Sequence, residues 1–98
     1  MNFFCKLIAP RADFVQTMTP AESQLMQEHA TYWREWLAKG HVIAFGLVGD
    51  PRGAFGIGIV EFDSEDEARA FTDGDPTIRA GQGFAFEMLP MPFGVVRT

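Results

Sequence analysis

The chain has 98 residues, 47% of them hydrophobic and 21% charged, a balance that fits one globular domain over 1–98 and excludes a fibrous repeat or a long disordered tail. Its formal charge of −5 sets the molecule as a whole against phosphate backbones. A single cysteine, Cys5, and two histidines offer no internal disulfide, no zinc-finger spacing and no iron–sulfur ligand set, so no metal and no cofactor is expected and the chain reads as cytoplasmic.

The opening "MNFFCKLIAPRADF" has no cleavable small-residue site and no apolar run long enough to span a bilayer, so neither a targeting signal nor a membrane partner is expected. Asn2 to Ala9, rich in Phe, Leu and Ile and closed by Pro10, reads as a first strand, and "PRADFVQTM" as a loop. Thr19-Pro20-Ala21-Glu22 has the pattern of a capping box with proline at the first helical position. The helix it opens carries Leu25, Met26, Tyr32, Trp33, Trp36 and Leu37 at three- and four-residue spacing and ends at Lys39-Gly40.

His41 to Val48 and Ala54 to Phe62 are β runs around the turn residues Gly49 to Gly53, which predicts a hairpin. Ser64-Glu65-Asp66-Glu67 repeats the capping pattern ahead of a helix through Ala68, Ala70 and Phe71. Asp73 to Pro76 breaks that helix, "TIRAG" can add a helical turn, and Phe84 to Met88 is the last strand. The order βαββαβ, with right-handed crossovers, predicts an α+β, ferredoxin-like fold: a four-stranded antiparallel sheet with the helices on one face.

Both faces of that sheet are apolar by pattern, with Phe3, Cys5 and Leu7 set against Phe4 and Ile8, and Ile43 and Phe45 against Val42 and Val48. Two helices cover only one face. The other is expected to pack on a second copy, giving a homodimer whose sheets close a barrel-like core.

"PRGAFGIGIVEF" resembles an RNA-binding strand, and its place in the topology suits that role. With stacking positions set at Ala54 and Gly56, however, Phe55 falls on the opposite side of the pleat, and no basic rim accompanies it; no nucleic-acid partner is expected. Gly56 and Gly58, on one face of a central strand, instead mark a close approach by a helix or by a ligand.

Two residues carry the chemical reading. His29 lies between Met26 and Trp33 on the helix stripe facing the sheet, and is either a core histidine bonded to a backbone carbonyl or a proton-exchanging group needing an orienting partner. Asp75, just before Pro76, is either a helix cap or that partner, if the segment after the second helix folds back over the first. Arg11 is a loop arginine that can remain at the surface or pair with an anionic substrate group. His41 is expected to be exposed and receives no role.

"APRADF", "MTPAESQLMQEHATYWREWLAKGHVIAFGLVGDPRGAFGIGIVEF", the later "DP" and the closing "MLPM" together resemble the YciI-like (YCII-related) family over nearly the whole chain. The resemblance implies the dimeric α/β-barrel version of the fold, a homodimer, and a His29–Asp75 active-site dyad. It also implies proton abstraction in a lyase-like step, since one relative removes hydrogen chloride from a chlorinated hydroxyhydroquinone. Leu47 departs from the proline that relatives carry in a "GPV" turn. The resulting expectation is a cofactor-free enzyme with His29 and Asp75 as catalytic pair and Arg11, Trp33, Gly56 and Gly58 beside a small, cyclic or aromatic substrate. The competing expectations are a binding module that does not turn its ligand over and a purely structural dimer.

Overall fold

The structure, a computed structural model, describes residues 1–97. Strand β1 (Asn2–Ile8) is followed by a short helix α1 (Phe14–Thr17) and the long helix α2 (Pro20–Ala38). Strands β2 (Val42–Val48) and β3 (Phe55–Glu61) form the hairpin, and α3 (Glu65–Asp73), α4 (Pro76–Arg79) and β4 (Ala85–Met91) complete the chain. The sheet order is β2-β3-β1-β4 with every pairing antiparallel, the ferredoxin-like arrangement.

Local chemistry fixes the ends of α2. Thr19 Oγ1 accepts from the Glu22 N–H and the Glu22 carboxylate accepts from the Thr19 N–H, so two otherwise orphaned amides are satisfied. At the far end the N–H of His41 reaches the Trp36 carbonyl and that of Gly40 the Leu37 carbonyl, with Gly40 at φ 88°, a Schellman closure that only glycine makes without strain. In α3 the pattern is met only in part. Ser64 Oγ accepts from the Glu67 N–H, but the Glu67 carboxylate accepts from Asp63 and not from the cap's own amide.

The period-2 alternation of β1 puts Phe3, Cys5 and Leu7 on the helix side, where the first two join Trp33, Val42, Val60, Phe62, Ala68 and Phe71 in the core. Register across the sheet aligns Cys5 with Gly58 on one side and Met88 on the other. Trp33 occupies the space above Gly58: a Cβ there would lie 2.3 Å from Cζ3 of the indole, so the bare backbone is what lets the ring seat. Burial of a ring this size is worth roughly 3–5 kcal/mol against truncation.

Four expectations are corrected. The loop after Pro10 contains α1, whose Phe14 is buried and meets Phe84 edge-on at 5.2 Å. Leu37, at the fraying end of α2, is exposed and not part of the buried stripe. A register shift between Val42 and Ala44 puts Val42 on the same face as Phe45, so the helix-facing pair in β2 is Val42 and Phe45. Finally, β4 runs on through Pro90 to Met91, tolerable because β4 is an edge strand and a missing N–H there breaks no central ladder.

The face away from the helices carries Phe4, Lys6 and Ile8 of β1, Ile57 and Ile59 of β3 and Leu89 of β4, with Leu89 61% exposed. Phe55 also lies on this open face, with the Lys6 ammonium 4.4 Å from its ring centroid, so the face opposite the helices is the one holding the strand's aromatic. Its β3 neighbours are aliphatic, and Arg52 folds back onto Asp50. Among the described residues no helix is long and apolar enough to cross a membrane.

Candidate active site

Asp75 stands at the corner between α3 and α4, and the sequence Asp-Pro-Thr determines its posture. Pro76 starts α4 at the position where a missing N–H costs nothing, and Asp75 caps it: Oδ1 accepts from the Thr77 N–H and from Thr77 Oγ1, each at 2.8 Å. The other oxygen is turned toward α2. Oδ2 lies 2.7 Å from His29 Nδ1 and accepts from the Trp33 indole N–H at 2.6 Å. His29 and Trp33 are four residues apart on α2, so one face of the helix presents both donors to the same oxygen.

The carboxyl is fully buried, yet it stays ionised. Burial pushes its pKa up, but the hydrogen bond and charge of His29 and the donors of Thr77 and Trp33 outweigh burial and hold it below the usual carboxylate value. An ionised carboxylate only accepts, so in the neutral form of the imidazole the proton sits on Nδ1 and the lone pair on Nε2. Nε2 makes no hydrogen bond to the described residues and is not sealed from solvent.

The His29 ring lines a cavity of about 330 Å³ between α1, α2 and the adjoining ends of the strands. Its walls are Phe14, Val15 and Met18 from the α1 segment, Met26, Ala30 and Trp33 from α2, and Leu7, Phe45, Leu47, Gly56 and Phe86 from the sheet. His29 is the one titratable side chain among the lining residues. The arrangement has the chemical parts of a base with its orienting acid: a fixed tautomer, a free lone pair and a mostly hydrocarbon chamber.

The other candidates separate. Gly56 lines the cavity, and a Cβ there would be in ordinary contact with Leu7 at 3.4 Å. Gly58 does not line it; it lies under Trp33, so its close approach is to a helix side chain and not to a ligand. Arg11 is also absent from the cavity wall. Its guanidinium donates to both Glu22 oxygens at 2.8 Å and to Thr17 Oγ1 and the Thr17 carbonyl, which ties the α1 segment to the first turn of α2. His41 is half-buried instead of exposed, stacked on Phe62 at 4.5 Å with Nδ1 at 2.9 Å from the Glu61 carbonyl.

Reading the sequence missed Thr77, and it placed Glu22 in the helix cap without its pairing to Arg11. Thr77 was accessible as the hydroxyl two residues after a capping aspartate, a spacing that favours bonding back to the cap. No group of three or more metal-ligating side chains occurs among the described residues.

No curated protein matches the chain. Among solved structures it is similar to the 5-chloro-2-hydroxyhydroquinone dehydrochlorinase (TftG) from Burkholderia phenoliruptrix AC1100, in complex with 2,5-dihydroxybenzoquinone, at a TM-score of 0.65 and 21% identity over 94% of this chain and 95% of that one. At that identity the likeness establishes the shared fold. The model of the YCII-related domain family matches residues 2–92, which takes in every helix and strand described above, and the chain therefore belongs to that family.

Proposed function

We propose that the protein is a proton-transfer enzyme of lyase or isomerase type, with His29 as general base and acid and Asp75 as the group that holds it. The observation that carries this reading is the buried Asp75 carboxylate, which takes Nδ1 of His29 at 2.7 Å while Nε2 remains unpaired beside a cavity. A histidine sealed in the core would have its second nitrogen met by a partner instead of left beside an open chamber.

In the forward step Nε2 takes a proton from a substrate carbon or hydroxyl, and the electron pair of the broken bond stays on the substrate. The imidazolium that forms strengthens its contact to Asp75 into a charge-assisted hydrogen bond, so the charge it gains is stabilised as it develops. The pair left on the substrate then expels an adjacent leaving group, or the proton returns at a neighbouring atom. Trp33 keeps Oδ2 in place, and Thr77 keeps Oδ1. The dehydrochlorinase similar in structure belongs to the first of these reaction types, which supports the reading without carrying its substrate over.

The test is deuterium incorporation from heavy water into a panel of weakly acidic ring compounds, followed by NMR. The wild-type protein is expected to accelerate exchange for at least one member, and His29→Gln to lose about 10²–10⁴-fold of that acceleration with the fold retained. Ligand binding with no exchange in either protein would favour a binding module instead.

The same reading includes a second copy of the chain over the open sheet face. Ile8 and Leu89 are exposed there, beside the half-buried Phe4, Ile57 and Ile59, and neighbouring apolar side chains open to water on one sheet face suit burial against a partner. Lys6 and Glu87 face each other across β1 and β4, which gives a twofold partner charges of both signs to meet. Sedimentation is expected to give a dimer at micromolar concentration, and a monomer there contradicts this part of the reading.

A further inference from the structure

The cavity wall allows the ligand to be specified further. Its side chains are aliphatic, aromatic or thioether apart from His29, and no lysine or arginine is among the described lining residues: Arg11 is held by Glu22 and Thr17, and Lys6 lies on the open face over Phe55. Among the described lining residues there is no hydroxyl or amide side chain either, so the free hydrogen-bonding capacity of the side chains is concentrated at Nε2.

Charge conservation sharpens the point. With His29 in the neutral form a general base requires and Asp75 ionised, the pair carries one negative charge before a ligand enters. Proton transfer from an uncharged acid moves charge within the site but leaves the total unchanged, since the imidazolium formed balances the anion formed. A carboxylate or phosphate adds negative charge to a water-poor chamber whose described wall holds no lysine or arginine to meet it, and only a proton drawn from solvent onto His29 would restore the total. The net charge of −5 opposes anion entry as well. A ring bearing several hydroxyls fails for a different reason: all but one would lose water and find hydrocarbon.

Resting on the proton-transfer reading of His29, we propose that the substrate is an uncharged, largely hydrocarbon ring compound with a single polar function, placed so that its C–H or O–H proton faces Nε2. A cavity of about 330 Å³ is at the small end of ligand sites and suits one or two fused rings. This sets the chain apart from the structurally similar dehydrochlorinase, whose bound dihydroxybenzoquinone carries four oxygen functions around one ring.

The test compares three bicyclic probes of similar outline by calorimetry at neutral pH: β-naphthol, β-naphthoate and a tetrahydroxynaphthalene. β-Naphthol is expected to bind about tenfold or more tighter than either of the others, the equivalent of at least one factor of ten in Kd. Gly56→Val, which places a side chain against the cavity where the backbone already has room for a Cβ, is expected to weaken β-naphthol by about tenfold or more with thermal stability retained. Ala30→Val on the opposite wall serves the same purpose if the first variant does not fold.

Equal or tighter binding of the naphthoate, preference for the tetrahydroxy ring, no binding of any probe, or β-naphthol binding unaffected by both variants would overturn the proposal. The two readings fail separately. Selective β-naphthol binding with no deuterium exchange in any neutral compound would remove the catalytic role of His29 and leave the ligand class standing. Exchange confined to carboxylates would remove the ligand class and keep the base.

Discussion

Arg11 and His29 each meet a carboxylate at short range, 2.8 Å to Glu22 and 2.7 Å to Asp75, and each binds α2 to another segment. They differ in what is left over. Four of the five N–H groups of Arg11 are taken by Glu22 and Thr17, so most of its fork goes to holding the α1 segment in place. His29 spends one nitrogen on a buried anion and keeps the other at a cavity. A side chain with chemistry to offer is recognised less by its charge or its partner than by the valence its partners leave free.

The largest effect that would sharpen this contrast comes from Asp75→Ala. It orphans the indole N–H of Trp33, the Thr77 amide and hydroxyl, and the His29 ring at once, and should destabilise the fold by roughly 3–5 kcal/mol in urea unfolding. Proton exchange should fall with it. Glu22→Ala removes a half-buried partner of similar geometry whose arginine stays open to solvent, and its smaller loss of stability, with exchange unchanged, is the expected counterpart.

Next come the two glycines of β3. Gly58→Ala forces Trp33 off its seat, since the new Cβ falls 2.3 Å from the ring, and should cost about 1–3 kcal/mol as well as disturbing the indole bond to Asp75. Gly56→Ala meets only ordinary contact at 3.4 Å and should leave thermal stability within about 0.5 kcal/mol. Equal costs at the two positions would break the assignment of one to packing and the other to the cavity.

Acid titration separates the two carboxylates by smaller increments. Both are depressed in the folded state, so each contributes stability that is present above its unfolded value and lost as pH falls through its folded one. For Glu22, pulled down by the Arg11 hydrogen bond first and the Thr19 amide second, the window runs from 4.5 to about 2. For Asp75 it begins at the ordinary 3.8 and extends below it. Unfolding midpoints measured between neutrality and strong acid should therefore drop mainly below pH 4, and Asp75→Asn should flatten that drop more than Glu22→Gln, because the Glu22 pair is screened by solvent.

Much of this architecture is legible in the amino-acid sequence. The Thr19–Glu22 box, the proline at the helix start and the alternation of β1 act locally, through contacts a few residues apart, and they emerged with α2 and β1 in place. The bulge at Ile43 and the last residues of β4 are set by pairing across the sheet, which leaves little trace in either strand alone.

Asp75 shows how two explanations that look exclusive in sequence are both satisfied by one side chain: Oδ1 caps α4 and Oδ2 holds His29 and Trp33. Arg11 shows the reverse. Its type suits an anion, and only the fold reveals that the anion is Glu22 of the same chain. The family pattern in the "EH..YW" helix and the later "DP" pointed to His29 and Asp75 across 46 residues of sequence, a pairing that spacing could not have supplied.

The most direct measurement is the nitrogen NMR spectrum of the His29 ring in its neutral form, with and without β-naphthol. A protonated Nδ1 with a proton shift displaced downfield by Asp75 is expected, with an unprotonated Nε2 whose resonance moves when the ligand enters. A ring protonated on Nε2 instead, or a Nε2 resonance indifferent to the ligand, would contradict it.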